Sequence, residues 1–466
     1  MRVLIVNTFD IKGGAARAAY RLHKGLKRSG VASAMLVLEK FSQDKTVKAA
    51  APLPADDHDA AERLKIFTAI TKNYIKKNRT GMSNAPYFPG YPGYDLSKTK
   101  LVEEADVINL HWVAKYQSVE TISALSALGK PIVWTLHDEH PFTGGCHYSA
   151  GCTLYESDCH TCPQLIDDPY KLPHHSLLYK EECFRGKNIT VVSPSRWLAD
   201  LAARSRVFKE KEVVTIPNSL EIDIYTPRDK RKAKKKAGIP GDCLTILTGA
   251  ADWKPKRKGF AEFLSTMKHC LKNEEFSRLV KSGKLLLICF GTAAEEMKGL
   301  NIPFKAFGKV DADKEISTIY NAADIFVMPS VEDNLPNTIL ESMACATPVT
   351  AFAVGGMPDM IEDGINGLLA PLRDTEKMAQ AVLELIFHTE KRERMGRKGR
   401  ETVETHYKLE DQARAYTRLF SRLIPGGGST AKKFTIKEEP ICPVDKSFNK
   451  RLLPLYREYS PHASGT

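Results

Sequence analysis

No apolar run in this chain is long enough to span a bilayer; the longest candidates, such as Leu285-Leu-Leu-Ile-Cys-Phe290, are strand-sized. Nor is a secretory signal expected. Met1-Arg-Val-Leu-Ile-Val-Asn7 turns polar too soon and lacks a small-residue cleavage site, so it reads as a first β-strand and the expected location is the cytoplasm. No repeat of about 20–50 residues is visible, which sets aside repeat arrays. The densest basic run, Arg228-Asp-Lys-Arg-Lys-Ala-Lys-Lys-Lys236, has no aromatic residue interleaved. That argues against a stacking platform for nucleic acid and favours a solvated helix face.

What is present describes an ordinary globular protein, 42% hydrophobic and 27% charged. Its 466 residues are too many for one core and fit two domains with additions. The formal charge of +12 favours anionic partners without choosing among nucleotide diphosphates, anionic lipid headgroups and nucleic acid. Of ten cysteines, Cys183, Cys243, Cys270, Cys289, Cys345 and Cys442 are scattered and are expected to be reduced and mostly buried.

Two stretches open as strand, loop and helix: Arg2 to Asn7 with a helix from about Ala15 to Ser29, and Leu244 to Thr248 with a helix after Gly259. Short Val/Ile/Leu runs follow at 106–110, 131–135, 189–193, 284–290 and 324–328, as in strands buried on both faces of a parallel sheet. Two doubly wound α/β domains are therefore expected. The boundary falls near Ile216-Pro-Asn-Ser219, giving domains over 1–218 and 219–406, a C-terminal helix over 407–424 packing back on the first domain, and a linker and tail over 425–466. Pro425-Gly-Gly-Gly-Ser-Thr430 reads as a flexible break; the tail after it is either disordered or docked.

The chemistry is written most clearly between Asp324 and Gly367. Asp324 to Met328 is a strand, and the loop after it leads into a helix beginning near Asn337 or Thr338. Loops at the carboxyl ends of such strands bind ligands, and free N–H groups at a helix start hold phosphate. Asp333 in the loop and Glu341 in the helix lie eight residues apart; they suit sugar and ribose hydroxyls, or merely complement the helix dipole.

This segment resembles the E-x7-E region of retaining GT-B glycosyltransferases, glycosyltransferase family 4 (group 1). The resemblance is carried in order by Tyr320-x-Ala-Ala-Asp324, Met328-Pro-Ser330, Glu341-Ser-Met-Ala-Cys-Ala-Thr-Pro-Val349, Gly355-Gly-Met-Pro-Asp359 and Asp363-Gly-x-Asn-Gly367. It implies the GT-B fold, two Rossmann-like domains facing a central cleft. It also implies transfer of a sugar from a nucleoside diphosphate sugar, UDP- or GDP-linked, to an acceptor hydroxyl with retention and without a catalytic metal. Two positions depart from the pattern: Asp333 replaces glutamate, with Glu332 as a rival, and Pro336 replaces glycine and removes a backbone donor. The implied donor contacts are Asp333, Asn334, Leu335, Asn337, Thr338, Ile339 and Glu341. Lys258, ahead of Gly259, contacts phosphate. Trp253 stands where the family often has arginine, so Arg257 or Lys256 takes that place. Lys309 and Val310, in Phe307-Gly-Lys-Val310, border the base. Asp311-Ala-Asp313 is read as a helix N-cap region rather than a metal motif.

In the first half, Gly13 and Gly14 resemble the family's Gly-Gly loop, Arg17 lies one helical turn on, and His137 matches the histidine near the reacting carbon. His111 is a second candidate, lining the acceptor pocket. Lys258, Asp333 and His137 are thus the implied catalytic set. Within a loop over 140–165, Cys146, Cys152, Cys159 and Cys162 are spaced C-x5-C-x6-C-x2-C. Four such thiols can hold a structural Zn2+, or remain a reduced or redox-active loop. The pattern resembles the colanic-acid-type subgroup of surface-polysaccharide enzymes, which implies a saccharide or lipid-diphosphate-linked acceptor and peripheral contact with the inner face of an anionic membrane. The competing readings are a GT-B sugar-nucleotide epimerase or sucrose-synthase-like enzyme, and a zinc-containing nucleic-acid-binding protein. The ordered donor motifs leave no role for nucleic acid.

Overall fold

The computed structural model describes residues 1–52, 58–90, 93–292, 296–425, 433–435, 439–444 and 455. The chain forms two compact units, Met1–Ile216 with Gln412–Thr466, and Pro217–Asp411.

The first unit is built on β1 (Arg2–Phe9), β2 (Ala32–Glu39), β3 (Val47–Pro52), β4 (Gly93–Asp95), β5 (Val107–Leu110), β6 (Ile132–Thr135), β7 (Ile189–Ser193) and β8 (Val213–Thr215). The second carries β9 (Leu244–Gly249), β10 (Leu285–Phe290), β11 (Phe304–Ala306), β12 (Ile325–Met328), β13 (Val349–Phe352) and β14 (Gly367–Ala370); β15 (Glu439–Val444) returns to the first. The sheet orders are β4-β15-β3-β2-β1-β5-β6-β7-β8 and β11-β10-β9-β12-β13-β14. Among the described residues, all pairings between these strands are parallel except β15 with β4. Strands such as Val107–Leu110 and Ile325–Met328 are buried at every position because helices cover both faces of each sheet.

On one face of the first sheet, Val3, Ile5, Met35 and Val133 pack with Ala413, Tyr416, Leu419 and Phe420 of the helix Leu409–Leu423. Part of the tail is ordered structure: β15 pairs with β3 from Glu439 opposite Ala50 and with β4 from Cys442 opposite Asp95. The expected break at Gly426–Thr430 lies outside the described residues.

The basic run differs from a plain solvated face. Asp229 caps the helix Lys230–Lys236 by accepting from the Lys232 N–H, and two of the lysines turn inward. Lys234 Nζ donates to Asp324 Oδ2 at 2.7 Å and Lys230 Nζ to Oδ1 at 3.1 Å. Asp324 also accepts from the Thr245 N–H and hydroxyl, each at 2.9 Å. Burial pushes this carboxyl up, but the two lysines and these bonds prevail and hold it at about 2.

Candidate functional site

In the second unit the strand order changes direction between β9 and β12, the switch point at which doubly wound sheets bind ligands. Loops leave the carboxyl ends of β9, β12 and β13 side by side. Gly259 has φ 71°, and a Cβ there would stand 1.7 Å from the Pro329 carbonyl oxygen. The Val331 N–H donates to the Arg257 carbonyl at 2.8 Å, so the β9 and β12 loops touch backbone to backbone. The β13 loop comes as close: Gly355 has φ 60°, its Cβ would lie 1.9 Å from the Asp333 carbonyl oxygen, and the Gly356 N–H donates to that oxygen at 3.2 Å. Only glycine permits both approaches.

Asp333 sits where the three loops meet and is buried. Its Oδ2 accepts from Lys258 Nζ at 2.5 Å and lies 3.3 Å from Arg257 Nη1, while Oδ1 accepts from the Asn334 N–H at 3.1 Å. Burial alone would raise the carboxyl; Lys258 and then Arg257 outweigh it and hold it below the usual carboxylate range. Arg257 also donates to the Glu332 carbonyl at 3.2 Å. The cluster therefore holds two cations against one carboxylate. Trp253 takes no part: its indole N–H donates to the Phe290 carbonyl at 3.3 Å and its ring packs on Phe260.

Pro336 caps the helix Asn337–Ala344, whose first turn presents Asn337 and Thr338, both partly exposed. Glu341 is buried, and its Oε2 accepts from the Tyr320 hydroxyl at 3.3 Å. The side chains of Leu335 and Ile339 belong to the hydrophobic core, so only their backbone is available to a ligand. Lys309 pairs at 2.9 Å with exposed Asp311, and Val310 packs partly on the core. Asp311-Ala-Asp313 is the N-cap region, as expected: the N-cap of the following helix is Ala312, and Asp313 opens its first turn and accepts from the Tyr225 hydroxyl at 2.9 Å.

The first unit has a corresponding switch point between β1 and β5. Gly13, exposed and at φ 94°, ends the β1 loop, and Gly14 opens the helix Gly14–Arg28. Partly exposed Arg17 donates its N–H to the Gly13 carbonyl at 3.0 Å. The Trp112 N–H donates to Asn7 Oδ1 at 2.7 Å, which ties the β5 loop to the end of β1. His111 follows β5 and His137 follows β6, and Nδ1 of His111 lies 2.9 Å from Nε2 of His137. Burial keeps both imidazoles neutral, lowering His137 to about 4 and His111 well below the ordinary histidine range.

Asp138 is the organiser that sequence reasoning left as a mere neighbour of His137. Its Oδ2 accepts from the Trp112 indole N–H at 2.8 Å and lies 2.7 Å from His147 Nδ1; its Oδ1 accepts from the His140 N–H at 3.1 Å. Burial pushes this carboxyl up, yet His147, Trp112 and His140 hold it below the usual range. No local pattern announces these partners.

Cys146, Cys152, Cys159 and Cys162 all line one small cavity, together with Tyr87, Tyr155 and Gln164. All four are free, and burial raises each thiol, Cys159 to about 12. Buried Lys180 donates to the His140 and Thr143 carbonyls at 2.5 and 2.9 Å, and it and Arg79 lie within electrostatic reach of Cys146. Thiols are the right ligand type for a thiophilic cation, but among the described residues no three of these four sulfurs lie within 4.8 Å of one another, so the structure does not gather them into the expected zinc site. Among the described residues, the group whose potential ligand atoms all lie within 4.8 Å of one another is Asp158, His160 and His174, on the same segment.

Comparison with known proteins finds a family match over part of the chain. Residues 244–388 match the model of the glycosyl transferases group 1. The matched segment holds Lys258, Asp333 and Glu341. The D-inositol 3-phosphate glycosyltransferase of Saccharomonospora viridis is 26% identical over 201 residues, 41% of this chain and 45% of that protein. The N-acetyl-alpha-D-glucosaminyl L-malate synthase of Bacillus anthracis is 26% identical over 218 residues, 45% of this chain and 54% of its own. The chain thus spans about half the length of the curated relatives it matches. Among solved structures, HepE of Anabaena, crystallised with UDP and glucose, superposes with a TM-score of 0.62 over 90% of this chain and 99% of its own at 14% identity. The sucrose-phosphate synthase of Thermosynechococcus elongatus gives 0.60 over 91% and 98% at 16% identity. The fold, two parallel-sheet Rossmann-like domains, is the GT-B fold of these neighbours.

Proposed function

We propose that the chain is a retaining glycosyltransferase. It moves a sugar from a nucleoside diphosphate sugar to a hydroxyl of a saccharide or lipid-linked saccharide acceptor, in the assembly of surface polysaccharide. The observation that carries this reading is the Lys258–Arg257–Asp333 cluster at the switch point of the second sheet. A diphosphate entering beside it competes for the two cations. Asp333 is then released to accept hydrogen bonds from sugar hydroxyls, while Lys258 and Arg257 face the phosphate charge that grows as the glycosidic bond breaks. The first turn of the helix Asn337–Ala344 offers its N–H groups to the same phosphates, and Glu341 accepts from the ribose. Lys309 and Val310 border the base. The leaving group is stabilised by these residues and needs no catalytic metal.

The division of labour follows. The second unit supplies most of the donor contacts and Gly13 and Gly14 of the first add to them; Arg17 and His111 serve the acceptor, and His137 serves the reacting sugar. A structural Zn2+ would need the sulfurs of Cys146, Cys152, Cys159 and Cys162 to draw together from their positions here; with all four bound it would brace the loop after His137 and supply no reactive site. The basic surface suits a peripheral place on an anionic membrane.

A thermal-shift panel of UDP-, GDP- and ADP-sugars tests the reading. A UDP- or GDP-sugar raises the midpoint of the wild type. Glu341→Ala weakens binding of the nucleotide, and Asp333→Ala weakens discrimination between sugars. Unchanged affinities in both variants refute the site.

A further inference from the structure

His137 ends a chain of hydrogen bonds whose direction is decided at its far end. Asn109, on β5 and fully buried, donates from Nδ2 to the Val133 carbonyl at 2.9 Å and to Thr135 Oγ1 at 2.9 Å. A backbone carbonyl can only accept, so this contact fixes which way the amide points. Oδ1 of Asn109 then faces His111 Nε2 at 3.0 Å. An amide oxygen also only accepts, so Nε2 of His111 must carry a proton. His111 is buried and neutral, and its single proton is committed there; Nδ1 is left with a lone pair. That lone pair lies 2.9 Å from His137 Nε2 and accepts its proton. The ring centroids are 5.2 Å apart and the planes are inclined by 28°, as for two imidazoles joined edge to edge. Thr135 continues the chain in the other direction, its hydroxyl 2.9 Å from the hydroxyl of buried Tyr416 on the helix Leu409–Leu423.

We propose that Asn109, acting through His111, is a positioning residue that fixes His137 as its Nε2–H tautomer. The part-exposed ring of His137 then offers a ligand only the lone pair of Nδ1, which has no protein partner among the described residues. His137 is an acceptor that selects a hydroxyl donor, such as a sugar O–H, over a carbonyl or ether oxygen at the same place. Tyr416 and Thr135 hold the amide end of the chain. The assignment of His137 to the reacting sugar rests on the function proposed above; the tautomer does not.

The test uses full-length protein labelled with 15N-histidine and long-range 1H–15N correlation spectra, with His137→Gln to assign the His137 signals. The wild type is expected to show Nε2–H for both His111 and His137. A His137 signature of Nδ1–H overturns the proposal, whatever any variant does. Asn109→Asp places a carboxylate against His111 Nε2 and draws a second proton onto that ring. His111 then donates from Nδ1, and the proton of His137 moves to its own Nδ1. The variant should reverse the His137 signature, keep its affinity for the nucleotide within about twofold, and lose about tenfold or more in kcat. An unreversed signature in a folded Asn109→Asp also overturns the proposal. Wild-type protein that shows the Nε2–H signature but binds no sugar nucleotide sinks the glycosyltransferase reading and leaves the relay standing.

Discussion

Replacing Gly259 by alanine tests the idea that the phosphate-facing cations are aimed by backbone crowding. The new Cβ would lie 1.7 Å from the Pro329 carbonyl oxygen, where real Cβ contacts essentially never fall below 3.0 Å, so one loop must retreat by more than an ångström. Lys258 is the adjacent residue, and its 2.5 Å contact with Asp333 crosses the gap that would open. A left-handed alanine costs about 1–2 kcal/mol, and breaking a buried ion pair about 3–5 kcal/mol, so Gly259→Ala should lose about 4–7 kcal/mol. Gly283→Ala is the internal control. Gly283 has a nearly identical φ of 69° with nothing within 4 Å of its Cβ, so it carries the backbone cost alone, about 1–2 kcal/mol. Urea unfolding followed by tryptophan fluorescence, in which Trp253 reports on the same loop, measures both. Titration with the sugar nucleotide found in the panel should show a weaker Kd in Gly259→Ala only. If the two variants unfold alike and bind alike, the crowding of Lys258 towards Asp333 has no energetic content and the account of the cluster is wrong.

Three further outcomes are expected. Asp324 ionises at about 2 in the folded protein against an ordinary 3.8, so its contribution, about 2 kcal/mol, is complete above the ordinary value and is lost as pH falls from about 4 towards 2. Asp324→Asn should flatten the acid limb of the stability curve in that window, and an unchanged limb counts against the Lys234–Asp324 pair. Metal analysis of purified protein should find about one zinc per chain, falling in Cys159→Ser and in Cys162→Ser; metal-free wild type with unchanged thermal stability removes the metal from the reading. Deleting residues 426–466 removes β15 and bares the edges of β3 and β4. The melting temperature of the first unit should fall and the protein aggregate more readily, as static light scattering would show.

Much of the second unit was legible because its evidence is local. One strand, one loop and one helix carry Asp333 and Glu341 within a short stretch, and apolar runs such as Ile325–Met328 announce strands buried on both faces. The pairing of Lys258 with Asp333 was not legible, since the two are 75 residues apart and sequence reading gave them separate ligands. Asp138 and Asn109 were missed for a related reason. A buried polar side chain is identified by its partners, and those of Asn109 arrive from β6 and from His111. The inward turn of Lys234 is invisible in a run of lysines, because its carboxylate lies 90 residues on. β15 escaped because Pro440 and Pro443 argue against a strand, and its neighbours come from the first hundred residues.

The return of the chain to its first sheet sets an order of events during synthesis. The strands β1 to β8 emerge early, yet Tyr416 and Phe420, which cover one face of that sheet, and β15, which fills the place between β3 and β4, emerge only after the whole second unit. The unit begun first is therefore finished last. Until the ribosome has passed Val444, its sheet stands with a bare apolar face and open edges while the second unit is already complete.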